Sequence, residues 1–232
     1  MSEWWTYTLS DFLLFSPRVY YRLFELHNNA LWPAQPVTLA LGFAILLMLL
    51  RPVRARERIV PVLLGVLWLW IAWAFFWDRY ATINWASVYV APVFALEGLL
   101  LIGIGLARGG LAFASGGAFS RAAGIGLFAL ALAGYPLIAP AMGRPWSAAE
   151  VFGIAPDPTS IATLAVLALA QSRVRWALMV IPGLWCVVTG ATLWTMESGE
   201  FLAAPLGALA AVGIALFRRP PPHGEQLHGP KP

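Results

Sequence analysis

Residues 86–107 form an apolar stretch of 22 residues that contains one acidic or basic side chain, Glu97. A helix rises about 1.5 Å per residue and the bilayer core is about 30 Å thick, so about 20 apolar residues can cross it. Six more apolar runs follow the same pattern, and the chain is 60% hydrophobic but only 11% charged. A soluble domain averages about 25% charged residues. The sequence therefore predicts an all-α, polytopic membrane helix bundle.

The apolar runs divide the chain into three regions. We expect about seven transmembrane helices, near residues 36–50, 59–77, 86–107, 122–142, 158–171, 176–196 and 201–217. Together they make residues 34–217 a transmembrane domain. Residues 218–232 are rich in proline and glycine and are predicted to be a disordered tail.

Residues 1–33 are predicted to contain an N-terminal interfacial amphipathic helix. Its apolar face carries Tyr20, Leu23, Phe24 and His27, and its polar face carries Arg18, Arg22 and Glu25. A helix of this kind is too short and too charged to span the bilayer, and it fits the interface plane. A helix that caps the bundle from outside is the alternative.

The loops differ in charge from one side of the predicted bundle to the other. One side has eleven basic residues and two acids, whereas the other has four basic residues and eight acids. Cytoplasmic loops collect arginine and lysine. We therefore expect the N-terminus outside and the C-terminus inside.

Glu97 is the central polar candidate, because a charge at the bilayer centre costs at least about 2.5 kcal/mol and commonly marks function. The alternative is a neutral carboxyl that bonds a neighbouring helix as a structural element. The outer halves of two other spans add Tyr135, Cys186, Thr189 and Thr192, which could line a polar cavity with Glu97. Threonine can equally bond to its own helix backbone.

A second candidate site lies on the outer rim. Its residues are His27, Asn28, Trp32, Gln35, Asn84, Tyr89 and Asp157. We expect the rim segments 27–35 and 84–89 to pack against the end of the loop 143–157. Asp157 is also predicted to begin a helix as its N-cap, because Pro158 follows it.

Several functions are excluded or not indicated. The only lysine is Lys231, so a Schiff-base retinal protein is excluded, and no Walker, GxSxG or HExxH motif is present. We expect no catalytic residues, no metal and no cofactor. We also expect no nucleic-acid partner, since the arginines are divided among short loops.

The stretch HNNALWPAQ at residues 27–35 resembles the YN-x-AVWPAQ pattern of a bacterial membrane family known as a domain of unknown function. The resemblance extends through Tyr135-Pro136 to VIPGLW at residues 180–185. It implies a multi-span protein of the bacterial inner membrane, in a family whose members are sometimes labelled permeases. The family commonly has tyrosine at His27, glutamine at Glu97 and cysteine at Asp157.

Two functions are open at this stage. A small permease or transporter-like protein is favoured by Glu97 and by the prolines within the spans. A non-catalytic scaffold or partner subunit is favoured by a stripe of small residues, Ala203, Gly207, Ala211 and Ala215. Such a stripe allows close helix packing, either within the chain or in a homo-oligomer. The expected partners are the lipid bilayer and a second copy or another membrane protein.

Overall fold

The computed structural model describes residues 15–51, 53, 55–107, 109–113 and 117–217. The first 14 residues of the predicted N-terminal segment and the predicted disordered tail lie outside the described residues. The α-helices are α1 (Pro17–Ala30), α2 (Ala34–Leu50), α3 (Arg56–Ile71), α4 (Ser87–Leu106), α5 (Ala118–Ala129), α6 (Ile138–Ala141), α7 (Pro156–Leu169), α8 (Arg175–Leu178), α9 (Val180–Thr195) and α10 (Ala203–Phe217).

Some of these helices are continuous with one another. A π-helix, Ala72–Arg79, and a 3-10 turn, Tyr80–Thr82, extend α3. A second π-helix, Leu130–Gly134, and the 3-10 turn Tyr135–Leu137 join α5 to α6. The second change of winding lies beside Pro136, which cannot donate a backbone hydrogen bond.

The structure does not confirm all seven predicted membrane crossings. Four helical runs are long and apolar enough to span a membrane: Arg56–Thr82, Ser87–Leu106, Ala118–Ala141 and Arg175–Thr195. The bent pair α1 and α2 would make a fifth. The predicted spans 158–171 and 201–217 correspond to α7 and α10, whose 14 and 15 residues are shorter than the bilayer core requires.

The interior of the protein is built around α7. All of its residues are buried, and it packs against α3, α5, α9 and α10. A helix buried on every side is apolar all round, as α7 is from Leu164 to Leu169. The stretch 86–107, in contrast, forms α4 at the edge of the bundle, where Leu96 and Leu99 are exposed.

Small residues set the closest helix contacts. A Cβ atom on Gly98 of α4 would lie 2.8 Å from the carbonyl oxygen of Gly65 on α3, so the two backbones touch. On α10, a Cβ atom on Gly207 would lie 3.0 Å from Ile161 of α7. The small-residue stripe of α10 therefore packs within the chain.

α1 buries the face predicted from the sequence, including Tyr20, Leu23, Phe24 and His27. This face covers the π-helix Ala72–Arg79 that extends α3, where the rings of Phe24 and Phe75 stack 5.4 Å apart. α1 is bent by 89° from α2. If α2 crosses the bilayer, α1 lies in the membrane plane and also caps the bundle, so both predicted roles of α1 apply.

The loops separate into two ends as their charges predict. At the arginine-rich end, Arg121 donates to the carbonyl oxygen of Leu50 at 2.8 Å, and the backbone of Leu111 donates to Glu57 at 2.8 Å. At the opposite end, α1 contacts the loop that precedes α7. Because the charge pattern predicts that this end faces outside, it is called the outer end below.

Candidate functional site

Asp157 is the centre of the main buried polar cluster in the described part of the chain. Its Oδ2 atom accepts a hydrogen bond from the Tyr135 hydroxyl at 3.0 Å. Its Oδ1 atom accepts from the Trp185 indole at 2.6 Å and from the Thr189 hydroxyl at 2.9 Å. We call these four residues the Asp157 cluster. It joins α7, α9 and the 3-10 turn between α5 and α6 through donors that are all neutral.

The cluster lies below the outer surface. Tyr135 comes six residues before the end of α6, and Thr189 comes six residues before the end of α9. At the rise of an α-helix this places both about 9 Å inside the outer end of the bundle. Asp157 is only 1% exposed. α7 therefore begins within the bundle rather than at its surface.

A non-helical segment, residues 149–155, fills the space between the start of α7 and the outer end. Gly153 has a φ of 75°, and a Cβ atom there would meet Thr38 at 2.9 Å. Glycine adopts this left-handed conformation without steric cost. The Thr159 hydroxyl accepts from the Gly153 backbone and donates to the carbonyl oxygen of Ala155, both at 2.8 Å. These bonds hold irregular backbone inside a helical protein.

Aromatic rings enclose the cluster on the α9 side. The Trp185 ring lies 4.9 Å from Phe76 and 5.3 Å from Phe94, in edge-to-face contacts. Such contacts fix the orientation of an indole. Trp185 is therefore held with its N–H directed at Asp157.

A second acid, Glu150, lies on the outer side of the cluster. Its Oε2 atom is buried and has no hydrogen-bond partner among the described residues. Burial, and then the nearby charge of Asp157, raise the pKa of Glu150 well above its ordinary value, while Arg144 acts in the opposite direction. Burial therefore favours the protonated form of Glu150.

An ion pair whose side chains are largely shielded from solvent lies beyond Glu150. Arg144 contacts Glu200 at 2.6 Å and lies over the ring of Tyr21, whose hydroxyl donates to Glu200 at 2.7 Å and contacts Ser198. Burial alone would raise the pKa of Glu200, but the bonds from Arg144 and Tyr21 outweigh it and lower that pKa. Sequence reasoning missed this group, because its members are far apart in the chain and carry no motif.

The structure brings together only part of the predicted intramembrane site. Tyr135 and Thr189 join Asp157, and Cys186 is buried beside Trp185. Thr192 instead donates to the carbonyl oxygen of Val188 on its own helix. Glu97 is buried, but neither carboxyl oxygen has a hydrogen-bond partner among the described residues.

The predicted outer rim divides as well. Asn28 donates to the carbonyl oxygens of Ser147 and Ala149, both at 2.8 Å, so the segment 27–35 does pack against the loop. Gln35 donates to the carbonyl oxygen of Asn28, and His27 is buried beside Phe75. Asn84 accepts locally from the Ala86 backbone. Trp32 and Tyr89 are exposed, and Asp157 belongs to the interior instead.

Within the described ranges, no three His, Cys, Asp or Glu side chains are grouped so that they could hold a metal ion. A family model described as a family of unknown function (DUF6064) matches residues 17–219, a range that includes every helix named above. No curated protein and no solved structure matches the chain.

Proposed function

The chain belongs to the family of unknown function DUF6064, and we propose that it is an integral membrane protein that acts as a small permease. In this proposal the chain crosses the bacterial inner membrane seven times, the irregular segment 149–155 completing the crossing of the short α7, with the N-terminus periplasmic and the C-terminus cytoplasmic. The Asp157 cluster is the polar site that a translocated proton or small polar solute meets from the outer side. No catalytic step is part of the proposal.

One observation carries it: a carboxyl group is buried at the start of a helix that begins inside the bundle, behind irregular backbone. Irregular backbone at membrane depth is tolerated where it is buried in protein or lines a cavity. Transporters build their binding sites from discontinuous helices of this kind. A purely structural helix could begin at the surface and would need no buried acid.

The residues below Asp157 extend the proposed path. Ser160 lies three residues further along α7, is fully buried, and its hydroxyl has no hydrogen-bond partner in the described part of the protein. A free hydroxyl in this position suits transient contact with a passing solute. The path runs from Glu150 past Asp157 to Ser160.

Accessibility of Ser160 tests the proposal without knowledge of the substrate. On a Cys186→Ala background, Ser160→Cys should react slowly with a membrane-impermeant thiosulfonate added outside, because a permease exposes its site transiently. Gly199→Cys is the exposed positive control, and Ala165→Cys, deeper in α7, reports general unfolding. Complete protection of Ser160→Cys, with Gly199→Cys reactive, would contradict a permease.

A non-catalytic scaffold is the second candidate. It is favoured by the complete burial of α7 and by the hydrogen bonds through which Asp157 connects α7 to α9 and to the 3-10 turn between α5 and α6. A scaffold predicts a protected Ser160→Cys together with a membrane protein that co-purifies in fixed stoichiometry. A permease predicts neither result.

A further inference from the structure

A groove of about 270 Å³ lies at the outer end, between α1 and the end of the α3 extension. Three arginines line it, Arg18, Arg22 and Arg79, and its other lining residues are Val19, Leu23, Leu26, Thr82 and Ile83. The groove is well separated from the buried Asp157 cluster, since its walls are the exposed side of α1.

The groove gathers most of the positive charge on its side of the chain. The outer loops and the N-terminal segment contain four basic residues, and three of them line this single groove. The fourth, Arg144, is paired with Glu200. Positive charge is therefore concentrated in one place at this end.

The arginines are not fully neutralised by the protein. Arg22 pairs with Glu25 on α1. The Nε atom of Arg79 is buried and has no hydrogen-bond partner among the described residues. A buried donor without a partner is costly, so an acceptor from a ligand would stabilise this arrangement. Guanidinium groups match phosphate oxygens in geometry and charge.

Apart from Thr82, the rest of the groove is apolar, and in the proposed orientation it faces the membrane interface. Val19 and Leu26 are 41% and 44% exposed. Trp77 and Trp85, near the outer ends of α3 and α4, are also exposed, and tryptophans collect at the headgroup level of a bilayer. A ligand with a phosphate and an acyl chain would meet the arginines and the apolar wall together.

We propose that this groove binds one anionic phospholipid of the outer leaflet. The phosphate contacts Arg22 and Arg79, and the first part of an acyl chain lies along Val19, Leu26 and Ile83. The bound lipid fixes α1 against the end of α3. This inference rests on the membrane orientation proposed above but not on the permease function, because it concerns a different surface and a ligand that is not transported.

Native mass spectrometry of the full chain in detergent tests the proposal with phosphatidylglycerol as the probe. The protein should retain one phosphatidylglycerol with about tenfold preference over phosphatidylcholine, because the arginines favour a net negative headgroup. The double substitution Arg22→Gln with Arg79→Gln should abolish the preference. Arg51→Gln, an exposed arginine at the opposite end, should leave it unchanged; circular dichroism verifies the fold of each variant.

Four results would overturn the proposal. The first is equal retention of the two lipids by the wild-type protein, and the second is an unchanged preference in the double variant. The third is displacement of phosphatidylglycerol by an equal concentration of inorganic phosphate, which would indicate a site for a free anion. A lipid-free dimer that the double substitution dissociates would likewise assign the groove to a second copy.

Discussion

Among single residues, Asp157 has the most demanding environment. Replacing it by alanine would leave the donors of Tyr135, Trp185 and Thr189 buried without their acceptor, and each such group costs about 1–3 kcal/mol. We expect Asp157→Ala to lower the free energy of unfolding by roughly 2–4 kcal/mol in detergent. Asp157→Asn keeps an acceptor and should cost less. Thr192→Val, which removes a bond within one helix, should stay within about 0.5 kcal/mol; an equal loss in this control would contradict the assignment.

Glu97 leads to the opposite expectation. It is fully buried, and its carboxyl oxygens have no hydrogen-bond partner in the part of the chain that the structure describes. An unpaired buried polar group is unfavourable. Glu97→Leu should therefore leave the melting temperature unchanged or raise it, and Glu97→Gln should be silent. A clear loss of stability in Glu97→Leu would show that the carboxyl has a structural partner.

His27 makes the stability depend on pH. Burial lowers its pKa from 6.5 to about 4, although the nearby Ile154 backbone acts in the opposite direction. Between these values the unfolded chain binds a proton that the folded chain does not, so stability falls as pH decreases from 6.5 to 4, by about 3 kcal/mol. His27→Gln should remove most of this slope in unfolding measurements at several pH values. The same slope in the variant would assign it to other groups.

The composition of the buried cluster was only partly predictable from the sequence. Tyr135 and Thr189 were expected to share a site because both lie in the outer halves of apolar spans. Asp157 was not placed with them, since an aspartate before proline is also a common helix start. Its partners lie 22, 28 and 32 residues away, a separation that no local pattern reveals.

At the scale of helices, the α3–α4 contact is the most constrained. Gly98→Ala would place a methyl group against the Gly65 backbone, which cannot move without separating the helices. We expect a loss of about 1–3 kcal/mol, as for other overpacked sites. Gly103→Ala on the same helix meets nothing within 4 Å and is the matched control. Thermal unfolding of both variants in detergent measures the difference, and equal melting temperatures would refute the close contact.

The helices themselves were well predicted, because each apolar run is long and bounded by charges or turn residues. The buried face of α1 followed from its 3.6-residue period. The central place of α7 could not be derived in this way. A helix that faces lipid and a helix that faces other helices are both apolar all round, so hydropathy does not distinguish them. The short length of α7 is explained by the segment 149–155, which lies between the start of this helix and the outer end.

For the whole molecule, the separation of loops into two ends joins the charge pattern to the structure. The arginine-rich loops meet at one end through bonds such as that from Arg121 to Leu50. The acidic segments meet at the other end, through the ion pair of Arg144 and Glu200. The proposal that a solute reaches the Asp157 cluster from the outer side depends on which end of the bundle faces the cytoplasm.

A two-site cysteine accessibility measurement tests that orientation most directly. On the Cys186→Ala background, Gly199→Cys should react with an impermeant thiol reagent in intact cells, whereas Arg51→Cys should react only after the membrane is permeabilised. This result would place the Asp157 cluster near the outer surface of a membrane-spanning bundle. The reverse pattern, or reaction at both positions in intact cells, would contradict it.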